Sequence, residues 1–592
     1  MTKKRPPAEL YPGAVDRGNG CVTFALYAPG KQSVHVIGDF NDWNRSADPL
    51  QSTKEGLWWI EKQLEPGSYA YQFLVDEELV IGDPYARALA DDTAQDPPRS
   101  IVTVGAKPYS WQHDDWQRPL FHQLIIYEIH IGDFTEEGTF QAAIKKLDYL
   151  HDLGINAVEL MPVFEYPGWR GWGYNPAYFF TVEKAYGTPD DLRQFIDEAH
   201  ARSIAVILDI VLTHTGHDHP FNKLYPYEES PWYGTPLGEE NQFGFPSFDY
   251  TKGPAQAFAR DVQDYWLREF HIDGFRYDYL LGLGMKDGMG LPYLVHTARE
   301  VRPDVYLIGE YSPENPEAVN ASGLNGAWHV LGRYKLVALL REGELNEHNW
   351  DDFDAVTNFL DPWKCGYNSA AKVVNYVESH DEQRVIEAVR EAGLDEDAAR
   401  HKSALAASVL MTMPGEPMLY HGQEWGEATQ HKPNERNLIH WEQLESEAGR
   451  GLFEHYRKMC WLRRHHPALY SENFSLDARY PKQKALVYHR WNEQGDDIIV
   501  AVNFSPNQQK VTIPFPNAGR WHDAISGQEI EAEDDYDFDL GPSAAAIFIR
   551  GGDKEGGRIR AALTGAENSG PGSARPYAML ASSSSRTQGS SS

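Results

Sequence analysis

The chain has 592 residues, with 54 Lys and Arg against 87 Asp and Glu, a formal net charge of −33. That length requires several domains, and 41% hydrophobic with 12% aromatic residues excludes a chain disordered throughout. The charge argues against nucleic acid or an anionic membrane as the main partner and favours a neutral or cationic substrate.

The first hundred residues read as short strands between turns. Val22–Tyr27, Ser33–Gly38, Leu57–Ile60 and Ser68–Val75 alternate with period two, which suggests a β-sandwich. Trp43, Trp58 and Trp59 are read as sandwich core and as its interface with the next domain rather than as a glycan platform. Pro97-Pro98 and Lys107-Pro108 mark a linker near 100–120.

From 121 the pattern becomes strand then helix, repeated. Ile125–His130, Asn156–Met161, Ile204–Asp209, Gly274–Tyr277, Val305–Ile308, Gly326–Leu331, Val373–Val377 and Met418–Tyr420 are the expected strands. Helices are expected over Phe140–Leu153, Leu192–Arg202 and Ala255–Phe270. Eight such units fit a (β/α)₈ barrel, with a doubly wound sheet as the rival. A long aromatic, Pro- and Gly-rich excursion, 214–253, interrupts the third unit, and loops of that length tend to be functional. After 470 the chain returns to β, most clearly at Lys484–Arg490 and Ile498–Phe504. The expected division is therefore a β-sandwich at 1–110, a barrel at 111–470, a second β-sandwich at 471–551 and a disordered Gly/Ser-rich tail at 552–592.

Cys21, Cys365 and Cys460 form no CxxC pair, so neither a disulfide framework nor a structural zinc site is expected. No apolar stretch follows the basic start, and none reaches the roughly 20 residues of a membrane span. The expectation is a soluble, cytoplasmic protein with no membrane partner.

In a barrel, polar residues at the C-terminal ends of the strands face the active site. The third strand ends at Asp209 with Thr213-His214 beyond it. The fourth ends Arg276-Tyr277-Asp278, the fifth Gly309-Glu310 and the seventh Glu378-Ser379-His380-Asp381. One Asp after a strand is usually a helix cap, but capping does not explain Arg276 beside Asp278 or His380 beside Asp381. Paired carboxylates suit glycoside hydrolysis, in which one protonates the leaving oxygen and the other attacks the anomeric carbon or activates water. Arg276 is expected to keep Asp278 ionised as a nucleophile. The apolar run before Glu310 is expected to raise its pKa and suit it as the acid. His214 and His380 are expected to donate hydrogen bonds to sugar hydroxyls.

These segments, Asp209–His214, Gly274–Asp278, Gly309-Glu310 and Ser379–Asp381, resemble the four sequence regions of the alpha-amylase family of glycoside hydrolases. Gly171–Pro176 resembles that family's aromatic-platform loop, and Pro414–Glu424 its last strand. The run around Gly38–Asn44 resembles the carbohydrate-binding-type module of glycogen-active members. The resemblance implies that Asp278 is the nucleophile, Glu310 the acid/base and Asp381 the carboxylate that distorts the sugar. It makes Tyr174 a stacking platform, and Asp209, His214, Arg276 and His380 supporting residues around the glucosyl unit. It implies an alpha-glucan substrate, with hydrolysis of the amylase type first, 1,4-alpha-glucan branching second and maltooligosyl-trehalose hydrolysis third. A non-catalytic glucan-binding protein should have lost one of Asp278, Glu310 or Asp381, and all three are present. A phosphate-binding barrel is disfavoured by the acidic Glu378–Glu382 segment. Calcium is the one metal the resemblance raises. Thr213 stands where the family often has an Asn ligand, and a hydroxyl is a poorer ligand, so no cofactor is expected. Ser379 in place of the usual Asn is similar to branching enzymes, whereas Gln423-Glu424 looks like hydrolytic members.

Overall fold

The computed structural model describes residues 10–91, 96–168, 171–234, 241–342, 344–345, 348–349, 353–429, 432–433 and 435–550. The tail read from 552 lies outside them. Among the described residues, no helix is long and apolar enough to cross a membrane.

The amino-terminal strands form two four-stranded antiparallel sheets. One orders Gly13–Asp16, Cys21–Tyr27, Leu57–Gln63 and Gln51–Ser52. The other centres on Gly67–Val75, flanked by Val34–Gly38, Leu79–Ile81 and Ser100–Val104. The last of these corrects the linker reading: part of 100–120 is a strand. Phe24, Val36, Tyr71 and Phe73 alternate inward and bury between the sheets. Trp59 is buried, while Trp58 is half-buried and donates from Nε1 to the Ala28 carbonyl at 3.0 Å.

Eight parallel strands close a barrel, which settles the choice against a doubly wound sheet. They are β1 (Ile126–Ile129), β2 (Ala157–Leu160), β3 (Ala205–Ile210), β4 (Gly274–Tyr277), β5 (Tyr306–Gly309), β6 (Gly326–Trp328), β7 (Val373–Asn375) and β8 (Glu416–Tyr420). Alternate residues of each strand face inward. Ile126, Ala157, Ile207, Ile308, Val374 and Met418 fill the barrel, while Tyr127, Val158, Leu208, Phe275, Leu307 and Leu419 face the helices. This two-sided burial explains why the strands read as continuous apolar runs. Each fully buried Ile or Leu contributes about 1.5–3 kcal/mol.

Local signals set the helices. Thr188 caps Pro189–Ala201 by accepting from the Asp191 amide, and the Asp191 side chain reaches back to the Thr188 amide. That helix buries Leu192, Phe195, Ile196 and Ala199 against the barrel. The single helix read over Phe140–Leu153 is two, Phe140–Ile144 and Leu147–Leu153. At the break Lys146 Nζ lies over the Trp441 ring at 3.5 Å, a contact between distant segments that helical periodicity does not encode.

The excursion after β3 bridges domains. Trp232 stacks on Phe221 at 3.6 Å and meets Tyr27 of the sandwich edge-on at 5.8 Å. The Tyr225 hydroxyl donates to the Pro29 carbonyl at 2.6 Å. Its length therefore has a structural use besides any at the site. The carboxyl-terminal domain is a six-stranded sheet covered by the pair Gln509–Pro514 and Asp535–Leu540.

Candidate active site

The barrel interior changes character over one pleat. Two residues beyond Ile126, Ala157, Ile207 and Ile308 stand Glu128, Glu159, Asp209 and Glu310. Parallel registration places Asp209 of β3 beside Arg276 of β4. A floor of aliphatic side chains thus carries a layer of charge at the C-terminal mouth, where barrel enzymes keep their chemistry.

Arg276 organises that layer. It is fully buried, with its guanidinium 4.2 Å from the centre of the Trp328 ring. Nη1 donates to both oxygens of Asp209, at 2.9 and 2.8 Å, and to Asp278 at 3.0 Å. Nη2 donates to Glu310 Oε2 at 3.0 Å. One guanidinium therefore spans the two carboxylates read as nucleophile and acid. Side-chain exposure rises from 1% at Asp209 through 13% at Asp278 and 20% at Glu310 to 51% at Asp381, a gradient from floor to rim.

The structure changes the setting of both catalytic candidates. Burial raises the Asp278 pKa well above the ordinary carboxylate value, and Glu310, Asp209 and Asp381 add to it. Arg276 opposes them but does not outweigh them. Arg276 is shared among three carboxylates, and its charge does not offset the burial of Asp209 and Asp278. Nor does Glu310 sit in an apolar pocket: it accepts from Arg276 and from the Tyr279 amide at 3.2 Å. The apolar run before it faces the barrel core and the helices instead. Tyr279, next to Asp278, has φ +47°, a strained conformation for a non-glycine residue of the kind found at functional sites.

The histidines divide. His380 Nδ1 lies 2.6 Å from Glu128 Oε1, and Nε2 lies 3.3 Å from Asp381. Burial alone would lower its pKa, but Asp381 and Glu128 together outweigh burial and hold the ring well above its ordinary value. Both carboxylates thus favour the protonated ring at the mouth. At His214, Nε2 lies 2.8 Å from the Tyr174 carbonyl, Nδ1 lies 2.9 Å from Thr213 Oγ1, and the ring stacks on Phe245. Burial pushes its pKa down to about 4. Both nitrogens have partners inside the protein, and through Nε2 His214 supports the Tyr174 backbone. Tyr174 is half-buried, stacks on His380 at 4.9 Å, and donates to Asp209 Oδ2 at 2.5 Å. Trp172 meets the same imidazole edge-on at 5.2 Å.

Sequence reasoning missed Glu128, Glu159, Trp328 and two rim aromatics. The signal for the first two was present: a Glu inside a buried parallel strand breaks an apolar run and needs a reason. Glu159 is fully buried with neither carboxyl oxygen hydrogen-bonded, and burial, then Glu128, raises its pKa well above the ordinary value. Phe243, 55% exposed, meets Tyr279 edge-on at 5.4 Å. Tyr334, 43% exposed, lies beside Glu382, next to Asp381. Exposed rings beside a polar cleft suit sugar CH faces. Among the described residues, no group of three or more His, Cys, Asp or Glu side chains is placed to hold a metal ion.

Comparison with known proteins matches three family models to the chain. Residues 123–235 and 240–474 match the model of the alpha amylase catalytic domain. Residues 13–86 match carbohydrate-binding module 48, the isoamylase N-terminal domain, and 477–550 match the alpha amylase C-terminal all-beta domain. The chain is similar to a malto-oligosyltrehalose trehalohydrolase of Saccharolobus solfataricus, with 28% identity over 69% of this chain and 74% of that one. It is also similar to the 1,4-alpha-glucan branching enzyme GlgB of Oceanobacillus iheyensis, with 27% identity over 87% of each chain. A pullulanase from Bacillus acidopullulyticus shares the fold, with a TM-score of 0.76, 21% identity, and coverage of 91% of this chain and 75% of that one. With the catalytic-domain match spanning more than half of its 592 residues, on a closed barrel with a carboxylate cluster at its mouth, the chain belongs to the alpha-amylase family of glycoside hydrolases.

Proposed function

We propose that the chain is a retaining enzyme on alpha-1,4-glucans that works through a glycosyl-enzyme on Asp278, with water as the usual acceptor. The observation that carries this is the Arg276 bridge, which sets Asp278 and Glu310 side by side at the mouth. A shared guanidinium favours the roughly 5–5.5 Å carboxyl separation of double displacement over the roughly 6.5–9.5 Å of single displacement.

In the first step Asp278, in its ionised form, attacks the anomeric carbon through one oxygen while protonated Glu310 gives its proton to the departing glycosidic oxygen. The reducing-side fragment leaves with that proton. In the second step Glu310 takes a proton from water, which attacks the same carbon and releases Asp278. Positive charge grows on the sugar ring in both steps. Asp209, Asp278 and Asp381 lie around it in a fixed arrangement that water does not have to reorganise. Protonated His380 and Asp381 then face the ring hydroxyls, and Phe243 and Tyr334 offer further ring faces along the chain. This two-carboxylate chemistry needs no metal.

Glucan transfer shares the first step and differs in the acceptor. Ser379 before His380 and the branching-enzyme relative matching 87% of each chain favour it as the second reading. The trehalohydrolase relative supports cleavage of a maltooligosyl-trehalose bond as the third. Incubation with amylose separates them. New reducing ends without branch points support hydrolysis. New alpha-1,6 linkages with few reducing ends overturn it in favour of branching. Inertness toward amylose, with release of trehalose from a maltooligosyl-trehalose, overturns both.

A further inference from the structure

The loop carrying Trp172 and Tyr174 contributes no strand to the barrel, yet it lies against His380 through both rings. It is held at two backbone carbonyls. At Tyr174 the holder is His214. At Gly171 it is a buried cluster that the catalytic chemistry does not use. The Tyr166 hydroxyl donates to the Gly171 carbonyl at 2.7 Å. His130 Nε2 lies 3.1 Å from the same oxygen, and the Tyr186 hydroxyl donates to it at 3.4 Å. These groups also meet one another, with His130 Nε2 at 2.8 Å and Tyr166 Oη at 3.1 Å from the Tyr186 hydroxyl. Behind them Asp133 Oδ2 lies 2.6 Å from His130 Nδ1, and Asp133 Oδ1 accepts from the Asn437 amide at 2.8 Å. Asp133, His130, Tyr166 and Tyr186 are all at most 3% exposed.

Three buried polar side chains converging on one loop carbonyl, with Asp133 behind them, are more than packing requires, since apolar groups of the same shape would fill the space. The carbonyl they hold lies one residue before Trp172 and three before Tyr174. Between the two rings, Gly173 turns with φ +87°, and a Cβ there would lie 3.0 Å from Pro162. The loop is thus fixed before, within and after its aromatic pair.

We propose that His130, Tyr166 and Tyr186, oriented by Asp133, are positioning residues that set the Trp172–Tyr174 edge of the cleft for glucan binding. None of them touches substrate. They act on the platform, which meets the sugar in ground and transition states alike, so their loss raises KM more than it lowers kcat. This rests on the alpha-glucan reading above.

The test pairs maltoheptaose kinetics with hydrogen exchange of the 171–176 backbone. Tyr166→Phe keeps the ring and removes one donor. It should raise KM about 5- to 10-fold, hold kcat within about twofold, and speed exchange over 171–176 with the barrel strands unchanged. His130→Gln, which keeps a donor, should be milder than His130→Ala. If His130→Ala fails to fold, Tyr166→Phe alone decides. Unchanged exchange in Tyr166→Phe would overturn the anchor. Faster exchange with unchanged KM, or an equal loss falling on kcat, would overturn the positioning role. Wild-type protein inert on maltoheptaose would instead defeat the substrate reading, leaving the exchange result to judge the anchor by itself.

Discussion

The same barrel strands carry two layers one pleat apart, and the layers do opposite work. Below, Ile126, Ala157, Ile207 and Ile308 pack a dry aliphatic floor. Above, Glu128, Glu159, Asp209 and Glu310 crowd around Arg276 and His380. The floor is stabilising wherever it is buried. The upper layer raises the pKa values of Asp278, Asp209 and Glu159 through burial, which means that folding opposes their charge. Stability is built in the lower layer, and function is tolerated in the upper one because the lower one holds it.

Substitutions in the two layers should therefore separate activity from stability. The largest effect is expected at Asp278→Asn, which removes the attacking oxygen while keeping the shape. Turnover of soluble starch should fall about 10³-fold or more, with the melting temperature at or above that of the wild type. Near-normal turnover would displace Asp278 from its role.

Arg276→Lys comes next. Lysine keeps the charge but cannot span Asp209, Asp278 and Glu310 at once. kcat/KM should drop about 10²-fold, and buried carboxylates left without a partner should cost about 3–5 kcal/mol in denaturant unfolding. A variant that loses stability but keeps kcat/KM would separate the bridge from the chemistry.

In the floor the order reverses. Ile207→Ala should cost about 2–5 kcal/mol through the lost methylenes and the cavity, yet kcat per folded molecule should change little. A large kcat effect at full folding would mean that the layers are not independent.

The smallest effect sharpens the comparison inside the upper layer. Glu159 has a folded pKa raised above its unfolded value of 4.5. Its protonated form is therefore fully accommodated below about pH 4.5, and stability is lost as pH rises from there toward the folded pKa. Glutamine does not titrate, so Glu159→Gln should match the wild type at pH 4 and melt higher at pH 8. The gap should grow by at most about 1.4 kcal/mol per pH unit across that window. A gap that is constant with pH would mean that Glu159 is not held neutral.

Period-two alternation and buried apolar runs made the strands legible, down to the residue at Gly274–Tyr277. Strand ends made Asp209, Arg276, Asp278, Glu310 and His380 legible, because a barrel brings such ends together whatever lies between them. What stayed hidden depended on three-dimensional neighbours. That His214 serves the Tyr174 backbone, and that one arginine serves three carboxylates, follow from contacts between loops and strands that no local pattern records. The contact of Lys146 with Trp441, at the break between the two helices, belongs to the same class, since Trp441 is far along the chain.

The central claim, a covalent intermediate on Asp278, is open to direct trapping. A 5-fluoro-α-maltosyl fluoride, whose second step is slow, should label the folded protein, and peptide mass spectrometry should place the adduct on Asp278. An adduct on Glu310 or Asp381, or turnover of the reagent that accumulates no adduct under any quench, would contradict the account.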